Sequence, residues 1–117
     1  MAFDSLDNIG GLNITQCRFS AQAQLSDCYY YLGQINKARS VVTNLLADTL
    51  LDLRSKCISF NVLGKIQLQQ RRYDSAIYYY KEFANIAKEK PSFLGTALAN
   101  LGVSYLRMDS FNKAAET

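Results

Sequence analysis

The sequence predicts an all-α fold, an α-solenoid of stacked antiparallel helix hairpins. Three observations predict it. Helix breakers are scarce, with one proline and six glycines in 117 residues, which disfavours a sandwich of short strands joined by turns. Apolar residues recur at the i, i+3, i+4, i+7 spacing of one helix face. The pattern also repeats every 38 residues, in the columns Leu25/Leu63/Leu101, Ser26/Gly64/Gly102, Ile35/Tyr73/Phe111 and Ala38/Ala76/Ala114. Four columns in one register mark a repeat architecture, here about two and a half units long.

Each element follows from this register. Residues 1–15 carry Gly10-Gly11 and little periodicity; Phe3, Leu6 and Ile9 would be either the remnant of a preceding helix or part of a disordered start. Repeat 1 spans 16–53, with helices over 16–32 and 35–50 on either side of Gly33. Its break near 49–55 contains neither glycine nor proline. Repeat 2 spans 54–91. Phe60, Leu63, Gln67 and Leu68 line one face of a helix over 54–70, and Tyr73, Ala76, Ile77, Tyr80, Phe83 and Ala84 line a helix over 73–89. Gly64 lies beside the first stripe. A mid-helix glycine costs about 1 kcal/mol relative to alanine, which makes sense if a neighbouring helix approaches closely there. Ala76 is the matching small residue, so the two helices should pack as a tight antiparallel hairpin. Pro91 suits the first turn of the next helix. Truncated repeat 3, over 92–117, should hold a first helix over 92–107 and the start of a second over 110–117.

Composition narrows the function. The net charge of +3 is spread along the chain, with Arg71-Arg72 and Lys88–Lys90 as the clusters. It forms no basic stripe of the kind that neutralises many phosphates. No apolar run is long enough to span a bilayer, and the first residues lack the basic and apolar blocks of a secretory signal. Cys17, Cys28 and Cys57 show no ligand spacing and read as small buried hydrophobes of a reducing, cytoplasmic protein. The sequon Asn13–Thr15 then reads as chance. The absence of histidine removes the commonest general base and metal ligand. With no phosphate loop or nucleophile elbow either, the sequence reads as a non-enzyme that needs no cofactor or metal.

Two tyrosine triplets, Tyr29–Tyr31 and Tyr78–Tyr80, raise a separate question. Successive residues turn about 100° around a helix, so no triplet can bury all three rings in one core. Tyr29 and Tyr80 fall on the apolar stripes and should pack. Tyr78 should face out, while Tyr30 and Tyr31 lie toward the other face of their helix.

The residues also carry a resemblance. "FNVLGKIQLQQRRYDSAIYYYKEF" resembles a tetratricopeptide repeat (TPR) through Leu63-Gly64, Tyr73, Ala76-Ile77 and Tyr79-Tyr80-Lys81. "LANLGVSYLRMDSFNKAAE" is similar through Asn100-Leu101-Gly102, Tyr105, Phe111 and Ala114, and "AQLSDCYYYLGQINKA" through Leu25, Tyr29-Tyr30, Gly33 and Ala38. The 38-residue unit exceeds the family's commonest length of about 34 and is reminiscent of the Pins/LGN- and rapsyn-like branches. Arg71 and Asp109 stand where a turn glycine is common; Gly33 matches.

The resemblance implies a scaffold that binds a peptide or helix of a protein partner in a concave groove lined by the first helices. On this sequence the implied groove residues are Gln24, Asp27, Tyr30, Tyr31, Asn61, Lys65, Gln69, Asn100 and Arg107. The asparagines can donate to and accept from a peptide backbone. Lys65 and Arg107 would favour an acidic ligand, and Asp27 a base. The family's carboxylate clamp for chaperone tails would need basic residues where Ala23, Thr96 and Asn100 stand, which argues against that ligand. The alternatives are an RNA-binding helical-repeat protein, disfavoured by charge and period, and a truncated repeat fragment with no autonomous function. The open third unit, with Leu101, Tyr105, Phe111 and Ala114, would also allow self-association.

Overall fold

The computed structural model describes residues 14–116, so the expectation for the first residues lies outside it. The described residues form five helices and no strand: α1 (Ile14–Tyr31), α2 (Ile35–Leu46), α3 (Leu53–Gln69), α4 (Tyr73–Ile86) and α5 (Pro91–Glu116). The fold is an all-α helical repeat in which α1 packs on α2 and α4 on α5. Two compact units divide between Ser59 and Phe60, inside α3, and each is described by itself.

In the first unit, Phe19 and Ala23 of α1 meet Leu45 of α2 and Leu51 of the following turn, with Val41, Leu46 and Ile58 packed around them. Ala38 and Val42 are fully buried, as the alanine column requires. Ser26 stands in the column that glycine holds in the later repeats. It is buried and donates its hydroxyl to the Ala23 carbonyl at 2.6 Å. Self-satisfaction of this kind lets a small polar side chain replace glycine without an orphaned donor. Leu25, expected on the core stripe, is instead 45 % exposed. Phe19, Ala23 and Ser26 carry the contact, spaced i, i+4, i+7, and Leu25 lies about 100° from Ser26 around the helix. Cys17 and Cys28 are exposed and only Cys57 is buried, which corrects the reading of all three as core residues.

The α1–α2 and α3–α4 turns have one construction. Gly33 has φ +80° and Arg71, 38 residues on, has φ +61°. At the first turn the Gln34 amide donates to the Tyr29 carbonyl at 2.8 Å and Gly33 to Tyr30 at 3.0 Å; at the second, Arg72 donates to Gln67 at 2.9 Å and Arg71 to Leu68 at 3.1 Å. Both are Schellman closures, which need a left-handed residue at the position after the cap. Gly33 adopts it freely; Arg71 does so against a steric cost of about 1 kcal/mol.

The break without glycine or proline is built from aspartates. Asp48 accepts from the Leu50 amide at 2.9 Å, and Asp52 accepts from the Ser55 amide at 3.1 Å. Asp52 is thus the N-cap of α3, and α2 ends at Leu46, short of the expected residue 50. Burial, and next the Asp52 carboxylate, push the Cys57 thiol up to about 11.

In the second unit, Gly64 does what its cost demanded. A Cβ built there would meet the Tyr80 ring at 2.5 Å, so the α4 aromatic occupies the space of the missing side chain. Tyr80 and Ala76 are fully buried and Phe83 nearly so, and Phe83 sits 6.5 Å from Phe93 of α5. Tyr79 packs its ring 6.4 Å from Phe60 of α3, and Tyr78 is 54 % exposed.

The third repeat differs from its expectation. A single helix of 26 residues runs from Pro91 to Glu116 where a turn near Asp109 was expected. Asp109 lacks the left-handed freedom of glycine, and at i, i+4 it pairs with Lys113 at 3.2 Å, which favours helix locally. Phe111 rests 5.8 Å from Tyr73. The leading face of α5 behaves as its register predicts, with Ala97 and Ser104 buried. Ala114 and Gly102, buried in the equivalent columns of the second repeat as Ala76 and Gly64, are exposed here.

Candidate functional site: an amide pair and a basic cleft

Among the residues singled out from sequence, Asn61 and Asn100 are brought together. They lie 39 positions apart, one residue off the repeat period, and the Asn100 amide nitrogen donates to the Asn61 side-chain oxygen at 2.8 Å. Both are half-buried. Below them Ser104 returns its hydroxyl to the Asn100 carbonyl at 2.9 Å. Each amide spends one group on the other, leaving the Asn61 NH2 and the Asn100 side-chain oxygen as one donor and one acceptor. A peptide backbone offers the complementary pair. Lys65, one turn on from Asn61 along α3, is half-buried, while Gln69 and Arg107 are exposed.

On α1, in the first unit, Asp27 and Tyr30 are half-buried, and Gln24 and Tyr31 are exposed. Gln24 donates to the Ser20 hydroxyl at 3.5 Å. Tyr30 and Tyr31 meet edge to face with ring centroids 5.1 Å apart, and Tyr31 is 70 % exposed. Tyr29 packs under a cation, the Lys37 ammonium lying 5.7 Å from its ring centre. The triplet thus divides as its helical angles dictate, with Tyr31 the most exposed ring.

The sequence reading missed a second feature. Two open clefts flank the Tyr73–Phe111 contact. Arg72, Asp74 and Asn112 help line one, and Arg71, Leu106 and Arg107 line the other. They were not foreseen because a turn was expected at 108–109, whereas the continuous helix α5 carries Phe111 and Asn112 onward beside the α3–α4 turn. The doubled arginine in that turn was the available signal. Among the described residues there is no group of side chains suited to a metal ion, and no helix long and apolar enough to cross a membrane.

Comparison with known proteins finds relatives. The chain is 35 % identical over 92 residues to the BBSome complex member BBS4 of Bos taurus, and 35 % identical over 83 residues to the BBSome complex member BBS4 of Mus musculus. The alignments cover 79 % and 71 % of this chain, but 16 % and 14 % of the relatives. The chain therefore spans about one sixth of the length of the curated relatives it matches. No protein-family profile matches it, and no solved structure does. The likeness to BBS4 and the all-helical repeat are together consistent with the TPR family.

Proposed function

We infer that this chain is a protein-interaction scaffold, with repeats over 16–53, 54–91 and 92–117, that binds a peptide or helix of a partner along α3 and α5. The observation that carries the reading is the Asn61–Asn100 pair. It links two first helices of successive repeats and presents one free donor and one free acceptor beside Lys65. The likeness to members of a multi-protein complex supports a role in assembly. On α1, Gln24, Asp27, Tyr30 and Tyr31 form a further polar and aromatic patch suited to side-chain contacts. The unit length of 38 supports a place near the Pins/LGN-like branch, and the three free thiols suit a reducing compartment such as the cytoplasm.

Co-purification of partners from a cell extract, followed by calorimetry on whatever is captured, tests this reading. Asn61→Ala with Asn100→Ala should weaken binding about tenfold, a loss of roughly 1.4 kcal/mol for the donor and acceptor together, with the helical circular dichroism unchanged. Full affinity in the double variant, or loss of binding only together with helicity, contradicts it.

A further inference from the structure

We propose that the exposed face of α5 is a socket for an amphipathic helix that runs antiparallel to it, carries a large aromatic residue opposite Gly102, and begins with an acidic turn. The socket shares Arg107 with the groove residues read from the sequence but uses neither Asn61 nor Asn100, and it does not depend on that reading.

The second repeat supplies the template. There α4 lays Tyr80 into the space left by Gly64, whose neighbours along α3 at helical spacing are Phe60, Leu63 and Gln67, the last two buried. Adding 38 turns these into Leu98, Leu101, Gly102 and Tyr105 of α5. The residue types are preserved as a bulky, small, bulky stripe at i, i+4, i+7 spacing, which defines one helix face. The environment is not preserved. Leu98 is 52 % exposed, Tyr105 42 % and Leu106 69 %, and nothing lies within 4 Å of a Cβ built on Gly102. A glycine in the middle of a 26-residue helix is unfavourable for that helix, and it gains its use only when another element fills the space.

Charge selects the occupant and its direction. The stripe ends at Leu106, in the cleft that Leu106 shares with Arg71 and Arg107. Neither arginine has an ion pair among the described residues. A helix antiparallel to α5 would place its first turn there, as α4 starts beside the end of α3. An acidic first turn would then satisfy both arginines and the positive end of its own dipole. In α4 itself Asp74 occupies the first turn and Tyr80 lies six residues further on.

The probe is therefore a synthetic copy of residues 72–89, made helical by a lactam from Lys81 to a glutamate replacing Asn85. Both positions are exposed on α4, so the bridge leaves the packing face intact. Fluorescence anisotropy against the intact chain should show saturable binding. A Tyr80→Ala version of the peptide should bind at least about tenfold more weakly, the factor expected when a buried aromatic anchor is truncated. In the protein, Gly102→Leu should abolish binding while leaving helicity intact, because the site is open. Arg71→Gly with Arg107→Gln should weaken it about threefold at low salt and less at high salt. No binding up to about 1 mM by the bridged, demonstrably helical peptide overturns the proposal. So does binding that survives Gly102→Leu, which would mean that the peptide displaces α4 from Gly64 instead. Neither outcome affects the Asn61–Asn100 reading, whose test uses different residues.

Discussion

Helices α3 and α5 are two copies of one design in different circumstances. They share leucine and glycine at repeat-related positions, Leu63 with Leu101 and Gly64 with Gly102. In α3 the glycine touches an aromatic ring, and in α5 it faces open space. The same residue is therefore a packing device in one helix and an uncompensated backbone cost in the other. What a glycine contributes is decided by the neighbour that arrives, and the repeat register shows where that neighbour belongs.

Removing the neighbour should have the largest effect. Tyr80→Ala empties a fully buried site and should cost about 4 kcal/mol in urea unfolding. Combined with Gly64→Ala, it should lose less than the sum of the two single changes, because the added methyl enters the space the ring leaves. Strict additivity would separate the two residues and break the comparison.

The turns sharpen the same contrast at smaller scale. Arg71 and Gly33 hold equivalent left-handed positions. Arg71→Gly should raise stability by about 1 kcal/mol and Gly33→Ala should lower it by about as much. Thermal unfolding of both variants reads the sign directly. Asp109→Gly, in the third copy of that position, should shift α5 toward a break; a drop in helix content seen by circular dichroism would show it.

The smallest expected effect is a pH dependence. Cys57 has its thiol pKa raised to about 11 by burial and by Asp52, so the fold favours the neutral thiol. That contribution is complete below the ordinary value of 9.0 and is lost as pH rises from there through about 11. Cys57→Ala should flatten the fall in stability over that window relative to the parent. At pH 8, alkylation should label Cys17 and Cys28, which are exposed, well before Cys57.

Much of this fold was legible because the repeat register combines local and global information. The columns of Ala38 with Ala76 and of Ser26 with Gly64 located buried positions in both units, and Pro91 fixed the start of α5. Leu25 was misplaced because apolar character is a weaker guide than angle around the helix once Phe19, Ala23 and Ser26 define the contact. The α2–α3 break was visible only as Asp48 and Asp52, whose side chains do locally what glycine and proline do elsewhere. The turn expected at Asp109 failed for a related reason: repeat symmetry implies a turn, but neither glycine nor any contact at Gly102 enforces one. Of the candidate site, the asparagines were found as types and the register nearly gave their pairing. The arginine cleft was hidden because it depends on α5 continuing unbroken to Glu116.

Paired unfolding of Gly64→Ala and Gly102→Ala tests the central claim most directly. The added methyl collides with the Tyr80 ring in the first and meets nothing in the second. The expected result is a loss of about 2 kcal/mol for Gly64→Ala and a gain of up to about 1 kcal/mol for Gly102→Ala from helix propensity alone. Changes of the same sign in both variants would contradict the account.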